Sequence, residues 1–192
     1  MCGRLDVQTT KISIPVSELI GIEFKSVENR DLRPTQQVST ITLLDNRIQQ
    51  LNTSWGIKPS WSKKLLINAQ AETVSEKPTF RKAFADHRCV VPCSGWYEWS
   101  SNEDNKKQKY LFSLESEKPA YMAGIWYPSF EDKPPQLVTL TASSDDTCKQ
   151  YHHRMPLLIS EEAIEDWLTL PGGNISLLLM NMNDSIIVCE AS

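Results

Sequence analysis

The stretch from Val38 to Trp55 constrains this chain most. Val38 to Leu44 is rich in β-branched residues and partly alternates in polarity; Asp45-Asn46 suits a tight turn, and Arg47 to Trp55 returns. That pattern predicts a β-hairpin. Further strands are expected at Arg88–Val91, Trp96–Trp99, Lys109–Leu114, Ala120–Trp126 and Gln136–Ala142, with Ser100 to Lys109 as a solvated hairpin loop. Helix candidates are few. One is Val16 to Phe24. Another is Thr79 to Asp86, which follows Pro78. A third runs from a Ser160 cap through Leu168, with Glu161 and Glu162 at its positive end and Pro171-Gly172-Gly173 after it. No repeat or linker divides the 192 residues. The expectation is an α+β single domain over residues 1–192, built on curved antiparallel sheet with a few flanking helices.

Charge narrows the partners. The net charge of −4 excludes a histone-like basic binder. The distribution is uneven, however. Residues 1–110 carry 16 basic and 12 acidic side chains, whereas residues 111–192 carry 4 and 12. A local basic cleft on an acidic protein is compatible with that asymmetry. No apolar run reaches the roughly 18–20 residues that span a bilayer, and the N-terminus lacks a signal-peptide core. A cytoplasmic, membrane-free, monomeric protein is expected. The five cysteines, Cys2, Cys89, Cys93, Cys148 and Cys189, are odd in number, which argues against a disulfide framework. With only three histidines and no second close cysteine pair, Cys89 and Cys93 read as small buried hydrophobes, and no metal or cofactor is expected.

Several residues could carry chemistry. Cys2 becomes N-terminal if Met1 is removed. It would then present an α-amine and a thiol on adjacent carbons. Such a 1,2-aminothiol can act as a nucleophile with its own amine as base, or trap an aldehyde as an imine that closes to a thiazolidine. It can equally be an incidental second residue. Glu98, within Gly95-Trp96-Tyr97-Glu98-Trp99, is flanked by aromatics that would desolvate a carboxylate and raise its pKa. The alternative is a Glu facing water from an edge strand. In Tyr151-His152-His153-Arg154-Met155-Pro156, alternation sends one imidazole into a site and the other toward solvent, if the segment is extended. Arg154 beside His152 suits an anionic substrate, or else a structural loop. Asn68 sits where a strand ends. Trp55 and Trp61 bracket a rigid turn near lysines, a combination that suits stacking of single-stranded bases, although Trp55 could also be core.

Taken in order, Met1-Cys2-Gly3-Arg4, Trp55-Gly56 with Pro59 and Trp61, Asn68-Ala69 with Glu72-Thr73, Phe80-Arg81 with Phe84, Arg88-Cys89 with Pro92, Gly95 to Trp99, Met122 to Trp126, and His152 with Arg154-Met155-Pro156 form a specific set. The chain resembles the SRAP family (SOS-response-associated peptidase) over about residues 1–168. The resemblance implies a barrel-like SRAP fold and a DNA-damage role in the SOS response: a sensor and shield of abasic sites in single-stranded DNA. Cys2 would form the thiazolidine crosslink after self-processing of Met1. Glu98 would shuttle protons, Asn68 would hydrogen-bond near the cysteine, and His152 rather than His153 would help open the sugar. Arg4, Arg81 and Arg154 resemble phosphate contacts, and Trp55 and Trp61 resemble the aromatic wall. The same residues could instead serve a thiol autopeptidase or amidase, and a slow ring closure would allow lyase cleavage. Localisation is expected to be cytoplasmic, on the nucleoid when DNA is bound.

The chain departs from the family pattern at Gln70, where many members carry Arg, and at Asp31, a carboxylate less welcoming to phosphate. Its C-terminal end is shorter than typical, leaving the last strand and the closure of the sheet open.

Overall fold

The computed structural model describes residues 3–101, 106–170 and 184–191. Strands β1 (Leu5–Val7), β2 (Asn29–Leu32), β3 (Gln37–Leu44), β4 (Arg47–Trp55), β5 (Asn68–Gln70), β6 (Arg88–Cys93), β7 (Gly95–Ser101), β8 (Lys107–Leu114), β9 (Ala120–Tyr127), β10 (Gln136–Ser143), β11 (Arg154–Pro156) and β12 (Ile186–Ala191) make two sheets. Helices α1 (Thr9–Ile20), α2 (Arg81–Asp86) and α3 (Ile164–Thr169) flank them. The α+β class and the curved, barrel-like sheet are as the sequence implies.

The β3–β4 hairpin closes in two residues. Leu44 faces Arg47 directly, and Asp45 and Asn46 both take positive φ, 50° and 58°. These are the residue types that tolerate the left-handed region, and two such residues give the turn whose twist matches its strands. From this hairpin the sheet closes on itself. β3 pairs β6, β6 pairs β9, β9 pairs β10, and β10 returns in parallel to β4. The strands of this ring carry Ile41, Trp55, Cys89, Val90, Ile125, Leu137 and Leu140, all fully buried on one face or the other. A second sheet, ordered β12-β8-β7-β1-β2, packs beside it. The C-terminal strand β12 therefore lies on the edge of the second sheet against β8 and takes no part in closing the barrel.

Some elements differ from the sequence expectation. α1 begins at Thr9, well before Val16, and contains Pro15. Ile12, Val16 and Ile20 recur every four residues across the proline and give one core-facing stripe, so burial outweighs the lost hydrogen bond. Gly21, at φ 69°, ends the helix with its N–H donated to the Ser17 carbonyl. The Ser160 helix starts as a 3₁₀ turn (Glu161–Ala163) before α3. Pro171-Gly172-Gly173 lies outside the described residues. β7 and β8 extend into the expected loop as far as Ser101 and from Lys107. Strands β1, β2, β5 and β11 are short and carry little periodic signal, so alternation alone does not reveal them.

One buried cation ties the helices to the barrel. Arg88, 6% exposed at the start of β6, donates Nε to the Trp167 carbonyl (2.6 Å) and Nη1 to that of Phe84 (2.9 Å). Its Nη2 donates to the Leu170 carbonyl. These are the carbonyls that the ends of α2 and α3 would otherwise leave unsatisfied, at the negative poles of both helices. The guanidinium also lies near the Phe84 and Trp167 rings, at 5.9 and 5.7 Å from their centroids. Arg88→Met should keep the volume and orphan these carbonyls. It is expected to lower unfolding stability by about 3 kcal/mol, measured by urea titration.

Candidate active site

The site forms where the two sheets meet. β1 runs antiparallel to β7, with Leu5 opposite Trp96 and Asp6 opposite Gly95, and Tyr97 N–H donates to the Arg4 carbonyl at 3.0 Å. Carried toward the N-terminus, this register leads the arm along β7 toward Glu98. Cys2 lies outside the described residues. Gly95 allows the close approach of β7 to β8: a Cβ at this position would overlap the Phe112 carbonyl oxygen.

Glu98 is 5% exposed. Burial raises its carboxyl pKa above the ordinary range, and the positive charge of His153 works in the other direction. Cys148 lies close enough for the Glu98 charge to help raise its thiol pKa, although burial is the larger cause. A carboxyl whose ionised form is disfavoured by burial holds its proton to higher pH than a solvated one, which suits acid–base work. Glu98 is therefore desolvated, as its aromatic neighbours suggest, and does not face water from an edge.

The histidine loop is pinned onto the second sheet. Tyr110, directly across from Glu98 in the β7–β8 register, packs on Tyr151 at 4.6 Å, and Phe112 meets the same ring edge-on at 5.4 Å. The 3₁₀ turn Cys148–Gln150 carries on through a His152 N–H bond to the Cys148 carbonyl at 2.9 Å. The segment is thus not extended, and alternation does not apply to it. The rings of His152 and His153 stack at 4.4 Å, on one side. Arg154 N–H donates to His152 Nδ1 at 3.0 Å, which fixes the orientation of that ring. His153 is exposed, as alternation expects of one of the two imidazoles, and His152 is half-buried.

Asn68 begins β5, which pairs in parallel with β10 and sets Asn68 opposite Thr139. The Thr139 hydroxyl donates to Asn68 Oδ1 at 2.5 Å, orienting the amide. Arg154 opens β11 on the other side of β10. Its guanidinium grips Glu72 with two bonds of 2.7 and 2.8 Å and reaches the Thr141 carbonyl at 2.5 Å. The hydrogen bonds from Arg154 hold the Glu72 carboxyl below the usual carboxylate range. The Asn-Ala-x-x-Glu-Thr and His-x-Arg-Met-Pro segments are therefore one interlocked unit around β10.

The remaining sequence candidates separate into core and surface. Trp55 is 0% exposed and donates its indole N–H to the Ile67 carbonyl at 3.1 Å. Expected as part of an aromatic wall, it is core instead, because it ends the barrel strand β4 with no face open to a base. Trp61 is 68% exposed, on a loop clasped by the Ile57–Leu66 bridge and accompanied by exposed Lys58, Lys63 and Lys64. Arg4 is bound to Asp31 at 2.8 Å and lies over Trp99, 5.8 Å from the ring centroid. Arg81 is exposed on the first turn of α2, which precedes β6, whereas β7 follows that strand's far end. Cys89 and Cys93 are fully buried; burial raises both thiol pKa values, that of Cys93 to about 12. Among the described residues, no group of three or more His, Cys, Asp or Glu could hold a metal ion, and no helix is long and apolar enough to cross a membrane.

This architecture has known counterparts. The family model for SOS response associated peptidase (SRAP) matches residues 1–186, and the chain belongs to that family. It is 32% identical over 148 residues to YoqW of Bacillus subtilis (strain 168), covering 72% of this chain and 65% of the relative. It is 26% identical over 177 residues to YedK of Escherichia coli (strain K12), covering 88% and 79%. Over 149 residues it is 28% identical to HMCES of Gallus gallus, covering 62% and 44%. Each of these relatives is named an abasic site processing protein, and the chain spans about two thirds of the length of YoqW. A solved protein of Bordetella bronchiseptica shares the fold over the whole of both chains, with TM-score 0.84 at 22% identity. One of Bacteroides thetaiotaomicron shares it at TM-score 0.74 and 22% identity, over 99% of this chain and 91% of that one.

The raised pKa of Glu98 has a consequence for stability. A carboxyl whose folded pKa lies above its unfolded value contributes stability below the unfolded pKa, and that contribution is lost as pH rises through the folded one. Glu98→Gln should therefore raise the Tm at pH 7, with the advantage shrinking toward pH 4, where wild-type Glu98 is also neutral. Thermal melts across that window check it.

Proposed function

We propose that this protein processes abasic sites in single-stranded DNA by forming a covalent thiazolidine link through Cys2, freed by self-removal of Met1. The observation that carries the proposal is the buried Glu98 carboxyl, toward which the N-terminal arm runs. The names of the relatives support the substrate class.

The chemistry balances without a cofactor. The Cys2 amine attacks C1′ of the ring-opened sugar, and the resulting carbinolamine loses water to give an imine. The thiol then adds across the C=N bond of the protonated imine, its proton passing to the Glu98 carboxylate, and the five-membered ring closes. Glu98 serves both halves, first by protonating the departing hydroxyl and then by taking up the thiol proton. His152, held by the Arg154 backbone, orients the ring-opened hydroxyl, and the Asn68 amide hydrogen-bonds beside the cysteine. Trp61 with its three lysines supplies a stacking face and phosphate charge for an unpaired strand. Arg4, Arg81 and Arg154 are proposed as phosphate contacts, Arg154 also positioning the loop through Glu72. A single copy of the chain supplies all of these groups.

Incubation of the Cys2-started protein with end-labelled single-stranded DNA carrying one abasic site should give a heat-stable, slow-migrating band on a denaturing gel. Cys2→Ala is expected to abolish the band, and Glu98→Gln to slow its formation by about 10²-fold. An undiminished band with Cys2→Ala would sink the proposal. Cleaved strands would mark a lyase, and turnover of added peptides without a band would favour the amidase.

A further inference from the structure

Beside the N-terminal arm, three cations converge on one carboxylate. Arg4 Nη1 lies 2.9 and 2.8 Å from the two Asp31 oxygens. Arg33 Nε and Nη2 reach Asp31 Oδ2 at 2.8 and 2.5 Å. Lys109 Nζ stands 4.0 Å from Oδ1. Elements distant in sequence supply them: the arm before β1, the end of β2 with the turn after it, and β8. Two aromatic rings frame the cluster. Arg4 lies over Trp99, and Lys109 sits 4.1 Å from the Tyr97 ring centroid. Trp99 is 38% exposed and Arg33 59%, so the cluster opens to solvent.

Among the described residues, three positive groups surround one negative group, a local excess of positive charge on an otherwise acidic protein. A surface that needed only internal balance would match the charges more evenly. Partial burial works against ionisation of Asp31, but Arg33 and Arg4 outweigh it and keep the carboxyl ionised well below its usual pKa. The Asp31 carboxylate thus occupies the point where Arg4 Nη1 and the Nε/Nη2 fork of Arg33 converge, an arrangement that also fits a phosphodiester.

We propose that Arg4, Arg33 and Lys109 form a phosphodiester subsite, with Trp99 as its stacking neighbour, and that Asp31 is a built-in competing anion that weakens DNA binding there. A phosphate entering the subsite takes over the guanidinium contacts, and Asp31 swings out toward solvent. Asp31 sets a threshold: strands bind weakly until the covalent bond at Cys2 holds them. The subsite presupposes the single-strand binding proposed above and adds to it Arg33, Lys109 and the opposing role of Asp31.

Fluorescence anisotropy with a labelled, abasic-free oligothymidylate over a salt series tests this. Asp31→Asn is expected to tighten binding about fivefold at low salt and to steepen the log–log salt slope by about 0.7, the increment of one more phosphate contact on a single strand. Arg33→Gln added to Asp31→Asn should reverse the gain. Affinity unchanged or weakened in a folded Asp31→Asn variant overturns the subsite. Should that variant fail to fold by circular dichroism, Arg33→Gln and Lys109→Gln alone decide: each should weaken binding about twofold to threefold with a shallower slope, and wild-type affinity in both overturns it. The adduct gel is read separately. Adducts without these affinity changes sink the subsite alone, whereas the affinity changes without adducts sink the crosslinking reading alone.

Discussion

Everything in this molecule depends on one strand having more partners than a strand usually has. The first half of β10 pairs with β9 on one edge and β4 on the other, closing the barrel. Its second half pairs with β5 and β11. The side chains from Leu137 to Thr141 are buried on both faces, which makes the strand apolar enough to lie at such a junction. Where the barrel partners stop, the short strands start, and they deliver Asn68 from one side and Arg154, next to His152, from the other. Barrel closure and assembly of the site are therefore one event of backbone pairing.

Charges are treated differently on the two sides of that junction. Arg154 and Glu72 neutralise each other through a two-pronged bond, and Arg88 spends its charge on helix-end carbonyls. Glu98 is buried, and burial disfavours its charged form. The basic charge of this net acidic chain is unevenly placed. The exposed basic and aromatic groups, Trp61 with its lysines and the cluster around Asp31, all come from the net-positive first 110 residues.

The long strands and the chemistry-bearing residue types are legible in the sequence because both rest on local properties. Alternation in Val38–Leu44, the Asp45-Asn46 turn and the apolar run from Cys89 to Pro92 each carry their own signal. So does the crowding of aromatics around Glu98. The three-residue strands β1, β5 and β11 have too few positions to show a period, and they exist because a long strand offers them an edge. The helix expected from Val16 starts earlier, and α1 passes through Pro15 because Ile12, Val16 and Ile20 are buried together.

The sequence by itself determined an antiparallel β-rich chain, a cysteine at position 2, and a carboxylate among aromatics. Only the tertiary structure decided that Trp55 is core while Trp61 is surface, and that His153 stacks on His152. It also decided that Asp31 stands among Arg4, Arg33 and Lys109. Each of these depends on which distant segments share an edge or a turn. Sequence spacing reports the faces of a regular element, but contacts between elements arise only when the barrel closes.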